Sequence, residues 1–114
     1  MSSCVFCRII KGEAPAQMVY QDEWVSAFRD IRPVAPVHVL VVPNKHIASI
    51  TDASEEDQEV LGRMLLVARR VAEQEGIAQS GFRLIINNGP DANQIIFHLH
   101  LHVIGGQRMR YPMG

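Results

Sequence analysis

The chain has 114 residues, of which 47% are apolar and 20% charged, and it carries a net charge of −1. That length holds one core and is too short for two, so residues 1–114 are read as a single domain. A near-neutral balance without runs of like charge excludes a bulk-positive face for polymeric nucleic acid but leaves room for a single nucleotide.

No apolar run approaches a membrane span, and Met1-Ser-Ser-Cys4 offers neither a basic segment nor an apolar export stretch. A cytoplasmic protein with no membrane association is expected. Residues 4–11 carry Val5, Phe6, Ile9 and Ile10 and stop at Gly12, which predicts a short helix with a glycine terminator. After the loop opened by Pro15, Met18-Val19-Tyr20 reads as a strand. Asp22-Glu23 turns it into a hairpin partner, Trp24 to Phe28. Arg32-Pro33-Val34-Ala35-Pro36 cannot hold regular structure, because each proline removes a donor and restricts its predecessor. Val37 to Val42 is a strong strand ended by Pro43.

The one long helix begins near Ser54, an N-cap followed by Glu55, Glu56 and Asp57 at the positive end of the helix dipole. Leu61, Met64, Leu65, Ala68, Val71 and Ala72 recur at helical spacing and are expected to face a sheet, with Gly76 ending the helix. Phe82 to Asn87 is a strand, residues 88–93 a polar loop, and Ile96 to Ile104 the last strand. The sum is an α+β fold: a five-stranded, mainly antiparallel sheet with one long and one short helix, the helices on one side.

Cys4-Val-Phe-Cys7 contains the only two cysteines. In a reducing compartment this spacing points to a metal site or a redox pair before a structural disulfide. The thioredoxin-type redox reading wants a strand leading into the pair, and only three residues precede Cys4.

His98-Leu-His100-Leu-His102 alternates imidazole with aliphatic side chains and uses three of the five histidines. On an extended strand these histidines share one face about 6.5–7 Å apart, while Leu99, Leu101 and Val103 point into a core. Two chemistries want several imidazoles on one face. One is metal binding, for zinc, iron or copper. The other is nucleophilic catalysis, in which a neutral imidazole attacks phosphorus and its neighbours manage protons and charge. The residues alone weigh these two evenly.

The pattern from His98 to Ile104 resembles the signature of the histidine triad family. Cys4 to Ala16 resembles that family's N-terminal helix and loop, Phe28 to His38 its nucleotide-contacting loop, and Pro43-Asn-Lys-His46-Ile the segment after it. The resemblance covers nearly the whole chain and is specific to the Hint branch, the nucleotide-binding phosphoramidases. It implies a five-stranded antiparallel sheet with two helices and a homodimer paired through the long helix and a sheet edge. It also implies hydrolysis of a purine nucleoside monophosphate, AMP or GMP, joined through nitrogen to an amine. His100 is then the nucleophile that carries a nucleotidyl intermediate, flanked by His102 and His38. Phe6, Ile9, Phe28 and Ile31 would form the purine slot, Asp30 would accept from the ribose hydroxyls, and Asn87 and Gln94 would hold the phosphate end. Zinc held by Cys4, Cys7, His46 and His98 would be structural and would play no part in the chemistry. The alternatives are another nucleotide hydrolase or transferase of the superfamily, of the dinucleoside polyphosphate type, and a nucleotide-binding scaffold with weak catalysis. The short chain and its Gly105-Gly106 tail favour the Hint branch.

Two departures stand before the triad, where the family has glycine, glutamine, then serine or threonine and this chain has Asn93-Gln94-Ile95. Ile95 cannot give the phosphate a hydroxyl hydrogen bond, a loss of roughly 1.5–3 kcal/mol in a charged site. Asn93 must replace a glycine, which it does better than most residues because it tolerates left-handed φ. Tyr111 stands where the Hint pattern often has tryptophan. A five-stranded sheet leaves an exposed edge, and Leu61, Leu65 and Leu66 spread over more helix surface than one sheet covers. A two-fold dimer is therefore expected, with the tail around Tyr111 reaching toward the partner's site.

Overall fold

Val37–Pro43 (β3) is apolar on both faces but for His38, and all seven of its residues are buried. Such a strand needs cover on both sides, and the fold supplies it. A computed structural model describes residues 3–110. In it, Met18–Gln21 (β1), Val25–Arg29 (β2), β3, Phe82–Ile86 (β4) and Leu101–Gly105 (β5) form one sheet in the order β1-β2-β3-β5-β4. Every neighbouring pair is antiparallel. The β1–β2 turn is tied by Asp22, whose Oδ1 accepts from the Trp24 and Val25 amides at 2.7 and 2.8 Å.

The long helix, Gln58–Gln74 (α2), follows a 3-10 turn at Glu55–Asp57. Ser54 starts that turn as expected, with its amide donating to Asp57 Oδ2 at 2.9 Å. Gly76 follows the helix with φ 74°, the left-handed turn that glycine reaches without a Cβ penalty. The buried stripe on α2 is Val60, Met64, Val67, Ala68, Val71 and Ala72. Against it lie Val25, Ala27, Val39, Val41, Leu101 and Val103. The expected stripe therefore needs one correction: Leu65 is 55% exposed, because Val60 and Val67 set the helix about a quarter-turn away from it. Leu61 packs only at the margin of this core.

On the opposite face, Phe28, Leu40 and Val42 pack with Phe6 from the short helix Val5–Ile10 (α1). The two helices thus take opposite faces of the sheet, which corrects the expectation of helices on one side. The reason is the double burial of β3, whose second face would otherwise meet water. The last strand is also shorter than expected. Val41↔Leu101 is the final β3–β5 pair, and β5 starts there rather than at Ile96. Upstream, the chain is anchored by the Leu99 amide on the Ile47 carbonyl at 2.7 Å. The alternation survives without the ladder, since Leu99 joins the α2-side core and His98 is buried. Among the described residues, no helix is long and apolar enough to cross a membrane.

Candidate active site

The α1 face of the sheet carries the imidazoles. His38 sits on β3 and His102 on β5, flanking the Leu40↔His102 and His38↔Ile104 pairs. Their rings are 5.1 Å apart, and His38 Nε2 lies 2.8 Å from His102 Nδ1. The Val34 amide donates to His38 Nδ1 at 3.2 Å, which makes that nitrogen an acceptor and leaves the proton on Nε2. His38 Nε2–H then donates to His102 Nδ1, so neutral His102 carries its proton on Nε2. That Nε2 is buried without a hydrogen-bond partner. The chain of bonds from Val34 to His102 therefore ends in one N–H held ready for an incoming acceptor.

His100 is set by a different bond. Its Nδ1–H donates to the His98 carbonyl at 2.7 Å, which leaves the lone pair on Nε2. Its ring is 5.1 Å from that of His102 and 5.2 Å from that of Phe6. His102 and His38 are held toward the neutral form. Burial lowers the pKa of His102 to about 4, helped by the charges of His100 and His38 and opposed by Asp30. Burial also lowers that of His38, again against Asp30.

Of the residues expected to hold a nucleotide, Phe6 and Asp30 touch this row, at His100 and His38. Phe6 and Phe28 stand edge-to-face at 5.3 Å and are buried, Ile9 packs against the same cluster, and Ile31, expected in the slot, is 87% exposed and outside that cluster. Asp30 caps its own loop, with Oδ1 accepting from the Arg32 amide at 2.8 Å, and its Oδ2 lies 3.4 Å from His38 Nε2. Asn87 is half-buried just past β4. Gln94 is buried, and its amide works within the loops: Oε1 accepts from the Gly89 amide, and Nε2 donates to the Ala48 and Ile96 carbonyls. It fixes the loop that leads to the triad. Asn93 adopts φ 59°, the only non-glycine with positive φ among the described residues, so asparagine holds the left-handed conformation that glycine favours. Ile95 is 84% exposed. Tyr111 lies outside the described residues.

Sequence reasoning did not find the backbone groups that set the tautomers, the Val34 amide and the His98 and Pro43 carbonyls, because a peptide group carries no sequence signal. Leu40 and Val42 pack with Phe6 from the second face of β3.

Cys4, Cys7, His46 and His98 bring one ligand atom each to within 4.8 Å of one another. His98 Nδ1 is 3.4 Å from Cys4 Sγ and 3.6 Å from Cys7 Sγ, and His46 Nδ1 is 3.3 Å from Cys7 Sγ. His98 Nε2–H donates to the Pro43 carbonyl at 2.8 Å, which turns the lone pair of Nδ1 toward the sulfurs. Two thiols, two imidazoles and a carbonyl that orients one of them form a donor set suited to tetrahedral zinc. Asp30, His38 and His102 form a second close group, but their short N–N contact is a hydrogen bond that already uses the facing lone pair.

The profile of the HIT domain family matches residues 11–109. The purine nucleoside phosphoramidase of Escherichia coli K12 is 48% identical over 110 residues, 96% of this chain and 89% of that one. A HIT family hydrolase from Legionella pneumophila superposes with a TM-score of 0.94 at 45% identity, covering 98% of this chain and 100% of that one. A zinc-bound histidine triad family protein from Mycobacterium smegmatis superposes with a TM-score of 0.81 at 39% identity, covering 95% and 78%.

Proposed function

Because this chain belongs to the HIT domain family, we propose that it is a purine nucleoside phosphoramidase that works through a nucleotidyl-histidine. The observation that carries the reading is the pair of opposite tautomers two residues apart where the chain enters β5. His100 offers a lone pair on Nε2, and two residues on His102 offers a proton on Nε2. A phosphoryl group placed between them meets a nucleophile and a charge acceptor at once.

The base lies against Phe6, Ile9, Phe28 and Ile31, and the ribose hydroxyls donate to Asp30. The lone pair of His100 Nε2 attacks the α-phosphorus, the P–N bond breaks, and the nitrogen leaves as an amine after taking a proton. His102 Nε2–H gathers charge on the phosphate oxygens, with His38 behind it holding the tautomer. Asn87 sits at the phosphate end, where Gln94 shapes the loop. Water then attacks phosphorus, the P–N bond to His100 breaks, and the nucleoside monophosphate departs.

Zinc held by Cys4, Cys7, His46 and His98 supplies structure alone, tying α1 to the segment before β5. The zinc-bound relative and the donor set support this. Two thiols with no disulfide between them suit a cytoplasmic protein. A homodimer is supported by the α2 side of the sheet. Leu84 pairs with Val103 and so faces the α2 side, yet it is 37% exposed, as are Phe82 (36%) and Ile86 (38%) on the same edge strand. Leu65 and Leu66 add apolar surface from α2.

The test is His100→Ala assayed with an adenosine phosphoramidate. Turnover should be abolished while AMP still binds, since the slot and Asp30 are untouched. Near wild-type turnover would return the triad to a metal-binding role.

A further inference from the structure

Cys4 is the N-cap of α1, and its Sγ accepts from the Cys7 amide at 3.4 Å. Both sulfur residues are half-buried, within reach of a small oxidant. Helix geometry separates their Cα atoms by about 5 Å, inside the window that a disulfide spans without moving the backbone. Their sulfurs already lie within 4.8 Å of each other.

Between them in sequence stands Phe6. Its ring is buried and lies 5.3 Å from Phe28, 5.8 Å from His98 and 5.2 Å from His100. One turn of helix therefore carries the two thiols and the wall of the base slot. His98 makes the second link. Its ring faces both sulfurs, and its carbonyl accepts from the nucleophile's Nδ1–H at 2.7 Å. What happens at the sulfurs is felt at the slot through Phe6 and at His100 through one carbonyl.

We propose that Cys4 and Cys7 are a redox modification site, at which a peroxide-class oxidant forms a disulfide, expels the metal and loosens the nucleotide slot. The two thiolates lose one electron each and join through a new Sγ–Sγ bond. The peroxide O–O bond takes both electrons and, with two protons from solvent, leaves as two waters. The metal departs as the divalent ion, because His46 and His98 alone do not complete a tetrahedral site. With the ion gone, Cys4 and Cys7 are no longer tied to His46 and His98, so the turn that carries Phe6 loses its anchor to the segment before β5. The coupling is reciprocal: bound nucleotide tightens the metal, by the same factor as metal tightens the nucleotide. This rests on the zinc and nucleotide readings above.

The experiment uses the whole chain, purified reduced and loaded with zinc, then treated with hydrogen peroxide beside a chromogenic chelator. About one zinc per chain should be released, together with a Cys4–Cys7 peptide lighter by two hydrogens. AMP affinity by calorimetry should weaken roughly tenfold, within the usual range of coupling between sites. Dithiothreitol with added zinc should restore it, which oxidised methionine would not allow. Cys7→Ser should show no peroxide effect on AMP binding. If peroxide weakens that variant as much as wild type, the effect arises elsewhere and the proposal fails. Zinc release and disulfide formation with AMP affinity unchanged within twofold would overturn the coupling alone. A reduced protein that takes up no zinc would overturn the metal reading and this inference with it. One that does not bind AMP would overturn the nucleotide reading.

Discussion

Mild acid should destabilise this protein through His102. Folded His102 takes a proton only near pH 4, chiefly because it is buried beside the other two imidazoles, whereas an unfolded histidine titrates near 6.5. Below about pH 6.5 the unfolded chain binds a proton that the folded chain refuses. Stability is therefore full above that pH, declines as pH falls toward 4, and levels off below. His102 accounts for at most about 2 kcal/mol at pH 5 and about 3 kcal/mol at pH 4, less the solvent screening of a half-buried ring. His38, lowered by burial, acts in the same direction. Asp57 is held below the usual carboxylate range by its hydrogen bond from Lys45, and its contribution is lost as pH falls through that lowered pKa. Urea unfolding of wild type and His102→Gln at about pH 7.5 and pH 5 tests the effect of His102 together with the His38 bonded to it, while the remaining groups titrate in both. With a slope of about 1–3 kcal/mol/M, the wild-type midpoint should fall by roughly 1 M more than that of the variant. Equal pH dependence in the two proteins would refute the burial argument.

Ile95→Ser restores a hydroxyl at an exposed position and should raise kcat/KM about ten- to hundredfold, matching a charged hydrogen bond of roughly 1.5–3 kcal/mol; unchanged kinetics with a phosphoramidate would mean that this side chain does not reach the phosphate. Leu84→Glu combined with Leu65→Glu places charge on the exposed apolar face and should give a monomeric mass by light scattering; an intact dimer would move the interface elsewhere, and a wild-type monomer would remove it. Gly106→Ala meets φ 92° and a Cβ placed 2.9 Å from that of Pro36, so it should cost about 1–3 kcal/mol and lower Tm by several degrees; an unchanged Tm would show that the Pro36 loop yields freely.

Local signals were enough for much of this molecule. Asp22 in the β1–β2 turn, Ser54 ahead of α2 and Gly76 after it act through neighbours a few residues away, so their roles stand in the string of letters. Alternation from His98 to Val103 likewise separated imidazoles from core before any partner strand was known, and it persists where no ladder forms. Tertiary structure decided what distance in sequence conceals. α1 lies across the sheet from α2 because β3 must be covered twice, and a six-residue helix says nothing about which face it joins. Leu65 yields to Val67 because packing against β3 and β5, not hydrophobicity, sets the rotation of α2. The protonation pattern of the triad was hidden most deeply. Which nitrogen of His100 and His102 holds a proton depends on the His98 carbonyl and, through His38, on the Val34 amide. Every residue owns such peptide groups, so composition cannot mark them, and only the folded backbone aims them.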